Sequence, residues 1–136
     1  MEESIIYEQE FKVRDYEVDL QGIVNNANYL HYLEHTRHEF LYKKNVDFEG
    51  LHREGKDLLI TRNEIDYKSP LKSHDRFLVT LNMYLEGNLK MVFDQKIYRL
   101  PDKKLAVKAK VYGVCKDNGK LVKPEQILDL TKLGLS

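Results

Sequence analysis

The stretch "GIVNNANYLHYLEHTRHEFL", residues 22–41, decides how the rest of the chain must fold. It opens as a turn at Gly22, passes through the adjacent Asn25 and Asn26, and then becomes helical. From Ala27 to about Lys44 the apolar residues Leu30, Leu33, Phe40 and Leu41 recur at the three- and four-residue spacing of an amphipathic helix, with Tyr29 beside them and Arg37 interrupting the stripe. No proline or glycine breaks the run. It is the only element this pattern makes long enough to cover a sheet.

The flanking segments read as strands. Residues 4–13 set Ile5, Tyr7, Gln9, Phe11 and Val13 against Ile6, Glu8, Glu10 and Lys12, the period of two that marks a half-buried strand. Residues 50–56 read as a polar connection. Beyond it Ile65 and Tyr67 alternate with Arg62, Glu64 and Asp66 as far as Pro70. Phe77, Val79, Leu81, Met83 and Leu85 share a face, and Gly87-Asn88 supplies a hairpin turn into "LKMVFDQKIYRL", residues 89–100. Leu105, Val107, Ala109, Val111, Gly113 and Cys115 form the last face, with Lys108 and Lys110 opposite. A short tail helix is expected from Pro124, with Glu125 in its first turn and Gly134 at its end. Five antiparallel strands and one long helix predict a single α+β domain over residues 1–136.

Composition bounds the function. Lys plus Arg and Asp plus Glu are equal at 22 each, so nothing draws the protein toward nucleic acid or an anionic membrane. Cys115 is the only cysteine, which excludes an intrachain disulfide and the cysteine-rich zinc patterns. The start "MEESIIYEQEF" lacks the basic and apolar regions of a secretory signal, and no stretch approaches the ~20 apolar residues of a membrane span. A soluble, cytoplasmic protein is expected. Gly-x-Ser-x-Gly, phosphate-loop and dinucleotide fingerprints are absent.

The chemistry is concentrated ahead of the helix. A helix start leaves backbone N–H groups without intrahelical partners, and the aligned dipoles add positive charge there. Asp19 lies a short loop away, and Gly22 lets that loop turn back with its backbone near a ligand. An acyl carbonyl held between them would have its oxygen polarised by amides while the carboxylate attacks its carbon or activates water. The same residues also suit a plain N-cap and turn, and local sequence by itself favours that simpler reading.

The run "VRDYEVDLQGIVNNANYLHYLEHTRHEFL", residues 13–41, resembles the opening of the 4-hydroxybenzoyl-CoA thioesterase family, the acyl-CoA thioesterases of hotdog fold. The matching positions are Val13-Arg14, Asp19, Gly22, Val24, Asn26-Ala27-Asn28-Tyr29, Tyr32, Glu34 and Arg37. Tyr67, Pro70 and Asp75, and the later "GVCKDNGKLVKPEQI", extend the similarity over nearly the whole chain. It implies a curved five-stranded antiparallel sheet around the helix, and a homodimer or homotetramer with active sites at the subunit junction. Asp19 would be the catalytic carboxylate, as nucleophile or general base, and the backbone amide of Asn26 the oxyanion donor. The chain departs from the pattern in carrying Asn26 and Ile23 where histidine is common, and His74 where glycine is common. No imidazole can move a proton there. The Val24-Asn25-Asn26 run also resembles acyl-carrier-protein thioesterases, so acyl-ACP is an alternative substrate to acyl-CoA.

Candidate substrate-binding residues are Gly22, Ala27, Tyr29 and Tyr67, with Tyr16 and Tyr32 as further pocket aromatics that the core could equally claim. Arg62, Lys68 and Lys90, with Lys72, are candidates for the phosphates of coenzyme A. His31, His35 and His38 have a spacing that can hold zinc, but no other ligand supports a metal, and none is expected. Cys115 reads as a small buried hydrophobe. The expected activity, hydrolysis of acyl-CoA to free acid and thiol, requires no metal or redox cofactor. The alternative is a hotdog domain that binds acyl groups or acts as a scaffold without turnover.

Overall fold

The computed structural model describes residues 5–135, so residue 4, where the first strand was expected to begin, lies outside the described residues. Strand β1 (Tyr7–Lys12) leads through a 3-10 turn (Asp15–Glu17) into α1 (Asn26–Lys43) and α2 (Phe48–Arg53). Then come β2 (Lys56–Tyr67), β3 (Arg76–Glu86), β4 (Lys90–Leu100), β5 (Lys104–Asp117), β6 (Lys120–Val122) and a last 3-10 turn (Pro124–Gln126). The strands pair antiparallel in the order β1-β3-β4-β5-β2, with β6 beside β5, leaving β1 and β2 at the edges. The curled sheet around one long helix is the hotdog fold.

Register explains the core. Gln9 lies opposite Val79, Val79 opposite Ile97, Ile97 opposite Val107, and Val107 opposite Tyr67, so one row of side chains crosses the whole sheet beneath α1. Val79, Ile97 and Val107 are fully buried in it, each stabilising the fold by roughly 1.5–3 kcal/mol. The helix presents Tyr29, Tyr32, Leu33, Thr36, Arg37, Phe40 and Leu41 to this face, and Leu30, expected in the stripe, is 38% exposed. The buried series starts from Tyr29, which turns Leu30 toward the flank of the helix.

Between the apolar cluster at the start of α1 and the one at its end lies a polar belt. Arg37 Nη1 donates to Gln95 Oε1 at 3.0 Å, Gln95 Nε2 donates to the Leu33 carbonyl at 3.0 Å, and the guanidinium stands 5.6 Å from the Phe93 ring centre. Burial pulls the Arg37 pKa down to about 10, with Glu34 opposing, so the buried group remains a cation at neutral pH. Gln95→Leu would strand both partners of the amide. It should lower stability by about 2–4 kcal/mol in urea unfolding monitored by circular dichroism.

Three local expectations are corrected. The polar connection over residues 50–56 is partly helical: Asp47 caps α2 by accepting from Gly50 N at 3.1 Å, with the glycine inside the helix. β6 adds a sixth strand to the five expected. The tail forms one 3-10 turn, because Asp129 Oδ1 accepts from the backbone of Thr131 and the Thr131 hydroxyl while Leu128, Leu133 and Leu135 insert into the core singly. Among the described residues no helix is long and apolar enough to cross a membrane.

Candidate active site

Two loops, residues 13–25 and 68–75, are joined side by side at the N-terminal end of α1. Val13 N donates to Asp75 O at 2.8 Å, His74 N to Val13 O at 3.1 Å and Val24 N to Leu71 O at 2.8 Å, and Ile23 bridges to Lys72. Ser73 Oγ closes the outer end on the Asp15 carboxylate, with His74 Nε2 3.3 Å from the same oxygen. Tyr29, in the first turns of α1, accepts from Leu71 N through its hydroxyl at 3.0 Å. Burial raises the Tyr29 pKa, partly offset by that bond, and the phenol stays protonated.

Asp19 sits in a tight turn between the bridged residues Val18 and Val24. Gly22 N donates to Asp19 O at 3.0 Å, Asp19 N to Ile23 O at 2.9 Å, and Gln21 N to Asp19 Oδ1 at 2.8 Å. Gly22 has φ +81°, which accounts for the glycine. Nothing lies within 4 Å of where its Cβ would be, so close packing within the chain does not explain it.

The helix start divides its amides unequally. Asn25, not Asn26, is the N-cap: its side chain accepts from Ala27 N at 2.9 Å, and its carbonyl from Asn28 N at 2.9 Å. Asn26 N–H has no hydrogen-bond partner among the described residues. The first turn of α1 holds no acidic residue, so the positive end of the helix dipole is uncompensated there. Asn26 lines a cavity of about 250 Å3 together with Ile23, Val24, Tyr29, Tyr67, Lys68, Ser69 and Pro70.

The structure therefore brings Asn26, Tyr29, Tyr67 and Lys68 together. Gly22 and Ala27 stand in the adjoining turn and first helical turn, while the Asp19 carboxylate is exposed and lies outside the lining of this cavity. Arg62 pairs with Glu64 at 2.7 Å and lies opposite Tyr112, about 16 Å along the sheet from the Tyr67 position at the usual strand rise. Lys90 lies opposite Val114, about 23 Å away by the same measure. Lys72 is exposed on the bridged loop, Tyr16 is 76% exposed, and Tyr32 is buried between Phe11 and Phe77. Val24, Ser69 and Pro70 were not anticipated, and only the long-range pairing of Val24 with Leu71 reveals them.

The helical histidines have separate environments. His31 neighbours Asn28, His35 meets the edge of Phe11, and His38 packs on Phe48, where burial lowers its pKa. Among the described residues no three His, Cys, Asp or Glu side chains converge to hold a metal ion. Cys115 is fully buried, and burial pushes its thiol up to about 11, away from nucleophilic use.

Comparison with known proteins adds descent to this geometry. The chain is 38% identical over 115 residues to the chloroplastic acyl-acyl carrier protein thioesterase ATL3 of Arabidopsis thaliana, covering 85% of this chain and 60% of that protein. It thus spans only part of that relative's length. It is 30% identical over 114 residues to the acyl-CoA thioesterase YbgC of Haemophilus influenzae, covering 82% of each. The crystal structure of the probable thioesterase YbaW from Escherichia coli superposes with a TM-score of 0.79 at 27% identity, covering 93% of this chain and 95% of the other. Residues 13–129, from the end of β1 through the tail turn, match the Thioesterase-like superfamily, and the chain belongs to it.

Proposed function

We propose that this protein hydrolyses acyl-CoA thioesters to a free acid and coenzyme A. The carrying observation is the unpaired N–H of Asn26, at the uncompensated end of an 18-residue helix, on a residue that lines one cavity with Tyr29 and Tyr67. A thioester carbonyl seated there would direct its oxygen at that amide, which strengthens its hold as the oxygen becomes an oxyanion. Either Asp19 attacks the carbonyl carbon, the thiolate leaves and water hydrolyses the resulting acyl-aspartyl anhydride to the free acid, or Asp19 takes a proton from a water that attacks the same carbon and the proton leaves with the thiol. Coenzyme A enters only as part of the substrate.

A second copy of the chain completes the site in this reading. β2 is an edge strand, paired only with β5, whose Leu59, Ile60 and Tyr67 are 42%, 43% and 48% exposed among polar neighbours, and a 12-residue edge with exposed apolar side chains invites cover by another strand. Pairing β2 with its symmetry mate would bring a second subunit alongside Tyr67 and the cavity, and supply cations that one chain leaves remote, Arg62 and Lys90 among them. Light scattering should give a dimer or tetramer. Ile60→Lys should shift it toward monomer and reduce turnover at least tenfold.

The test of function is release of free thiol from a panel of acyl-CoA esters of varied length and aromatic character. Hydrolysis of any of them well above the rate in buffer supports the proposal. Acyl-ACP is the second reading, favoured by the higher identity to ATL3, and belongs in the same panel. A protein inert toward every CoA and carrier-protein thioester would be the acyl-binding scaffold instead.

A further inference from the structure

The turn that carries Asp19 holds its own shape, but its internal bonds do not fix where it stands relative to α1. On its Val24 side it is tied to Leu71 of the neighbouring loop. On its other side it is tied to the helix start through one atom, the carbonyl oxygen of Glu17. That oxygen accepts from Asn25 N at 3.1 Å and from the side-chain amide of Asn28, Nδ2, at 2.8 Å. Both acceptor positions of the carbonyl are thereby used. Glu17 is buried, and its carboxylate is turned to its own 3-10 turn, accepting from Arg14 N at 2.8 Å. Among the described residues Asn28 is the residue of α1 whose side chain hydrogen-bonds the backbone of the segment from Arg14 to Val24, while the Tyr32 hydroxyl lies against the Glu17 carboxylate.

We propose that Asn28 is a positioning residue for the hydrolysis: its side-chain amide clamps Glu17 and sets where the Asp19 carboxylate stands against the Asn26 N–H. The inference rests on the function proposed above for Asp19. Asn28 suits the task by length and chemistry. It is the third residue of α1, so its own N–H is spent on the cap, while its side chain reaches back across the chain entering the turn. Its Oδ1 faces His31 Nδ1 at 3.4 Å, which leaves the NH2 end for the carbonyl. Aspartate has no hydrogen to offer there, and alanine has no polar atom at all. One residue, Val18, separates Glu17 from Asp19, a span of about 7 Å, so slack at Glu17 passes directly to the carboxylate. A misplacement of about 1 Å in a reacting group can cost about a hundredfold in rate.

The experiment is a double-mutant cycle on kcat using the best acyl thioester of the panel. Asn28→Ala should lower kcat by about ten- to a hundredfold, leave KM within about threefold, and scarcely move the melting temperature. In an Asp19→Asn background the same change should have almost no further effect, because a residue that acts by placing a carboxylate has nothing left to place. A merely structural residue would reduce both backgrounds alike, and that result overturns the proposal. So does wild-type kcat in Asn28→Ala when Asp19→Asn is inactive, an outcome that leaves the proposed function standing. Full activity in Asp19→Asn itself removes that function, and this inference with it. If Asn28→Ala does not fold, Asn28→Asp carries the same cycle, since a carboxylate in the first helical turn is favoured by the dipole while the bond to Glu17 is still lost.

Discussion

Asp19→Asn is expected to lower kcat for acyl-thioester hydrolysis by about 10³ or more, equivalent to about 4 kcal/mol of barrier, with KM changed no more than a few-fold. The substitution removes charge and nucleophilicity and little else. In the wild type Asp19 Oδ1 accepts from Gln21 N, and an asparagine carbonyl oxygen can accept the same bond, so the turn closed by Gly22 N and Asp19 O persists. The carboxylate is exposed and off the cavity wall, so the acyl cavity should keep its shape. Thiol release at saturating substrate, with a melting curve on the same sample, checks this. A variant that melts like the wild type and retains most of its turnover would show that the carboxylate does no chemistry.

Much of the fold was legible because its signals are local. The alternation from Phe77 to Leu85 assigns the inward face of β3, and Phe77, Val79, Leu81 and Met83 are buried there. The long helix was legible from its spacing, but its rotation was not. Leu30 is more apolar than Thr36 or Arg37, and yet it is Thr36 and Arg37 that lie inside. The reason is tertiary: Thr36 satisfies its hydroxyl on the Tyr32 carbonyl at 2.9 Å, and Arg37 meets Gln95, a residue 58 positions away. No periodicity reports a partner at that distance. The short helix α2 was hidden by Gly50, a poor helix former held by the Asp47 cap, and the tail by an aspartate turn that competes with helix.

The site divides in the same way. An acid, a glycine and an asparagine pair before a helix can be read as a turn meeting a helix start, and the structure has that turn and that start. Which asparagine caps was left open and is decided by φ and ψ: Asn25 is extended, and Asn26 is the first helical residue. Lys68 could be named for its charge, but its neighbours Ser69 and Pro70 could not be read, because they reach Asn26 only through the bond between Val24 and Leu71, 47 residues apart. Lys90 and Arg62 were chosen for charge alone, and charge has no periodicity to say which end of a strand it occupies.

Asn26→Pro gives the second large effect, and it isolates a single backbone hydrogen. Proline is normally ruinous inside a helix because it removes an N–H that bonds four residues back and clashes with the preceding turn. Asn26 is the first helical position, where that N–H has no partner to lose and proline is favoured. The residue before it must be extended to precede proline, and Asn25 already is, with φ −67° and ψ 143°. The fold should therefore tolerate the change, whereas an oxyanion held by that amide should not. Loss of one such donor costs about 10²–10³ in kcat. Asn26→Ala supplies the comparison, since it deletes the side chain and keeps the hydrogen. Should proline be as active as alanine, the oxyanion is not held at the start of α1; should both fall together, the Asn26 side chain, and not its backbone, meets the substrate.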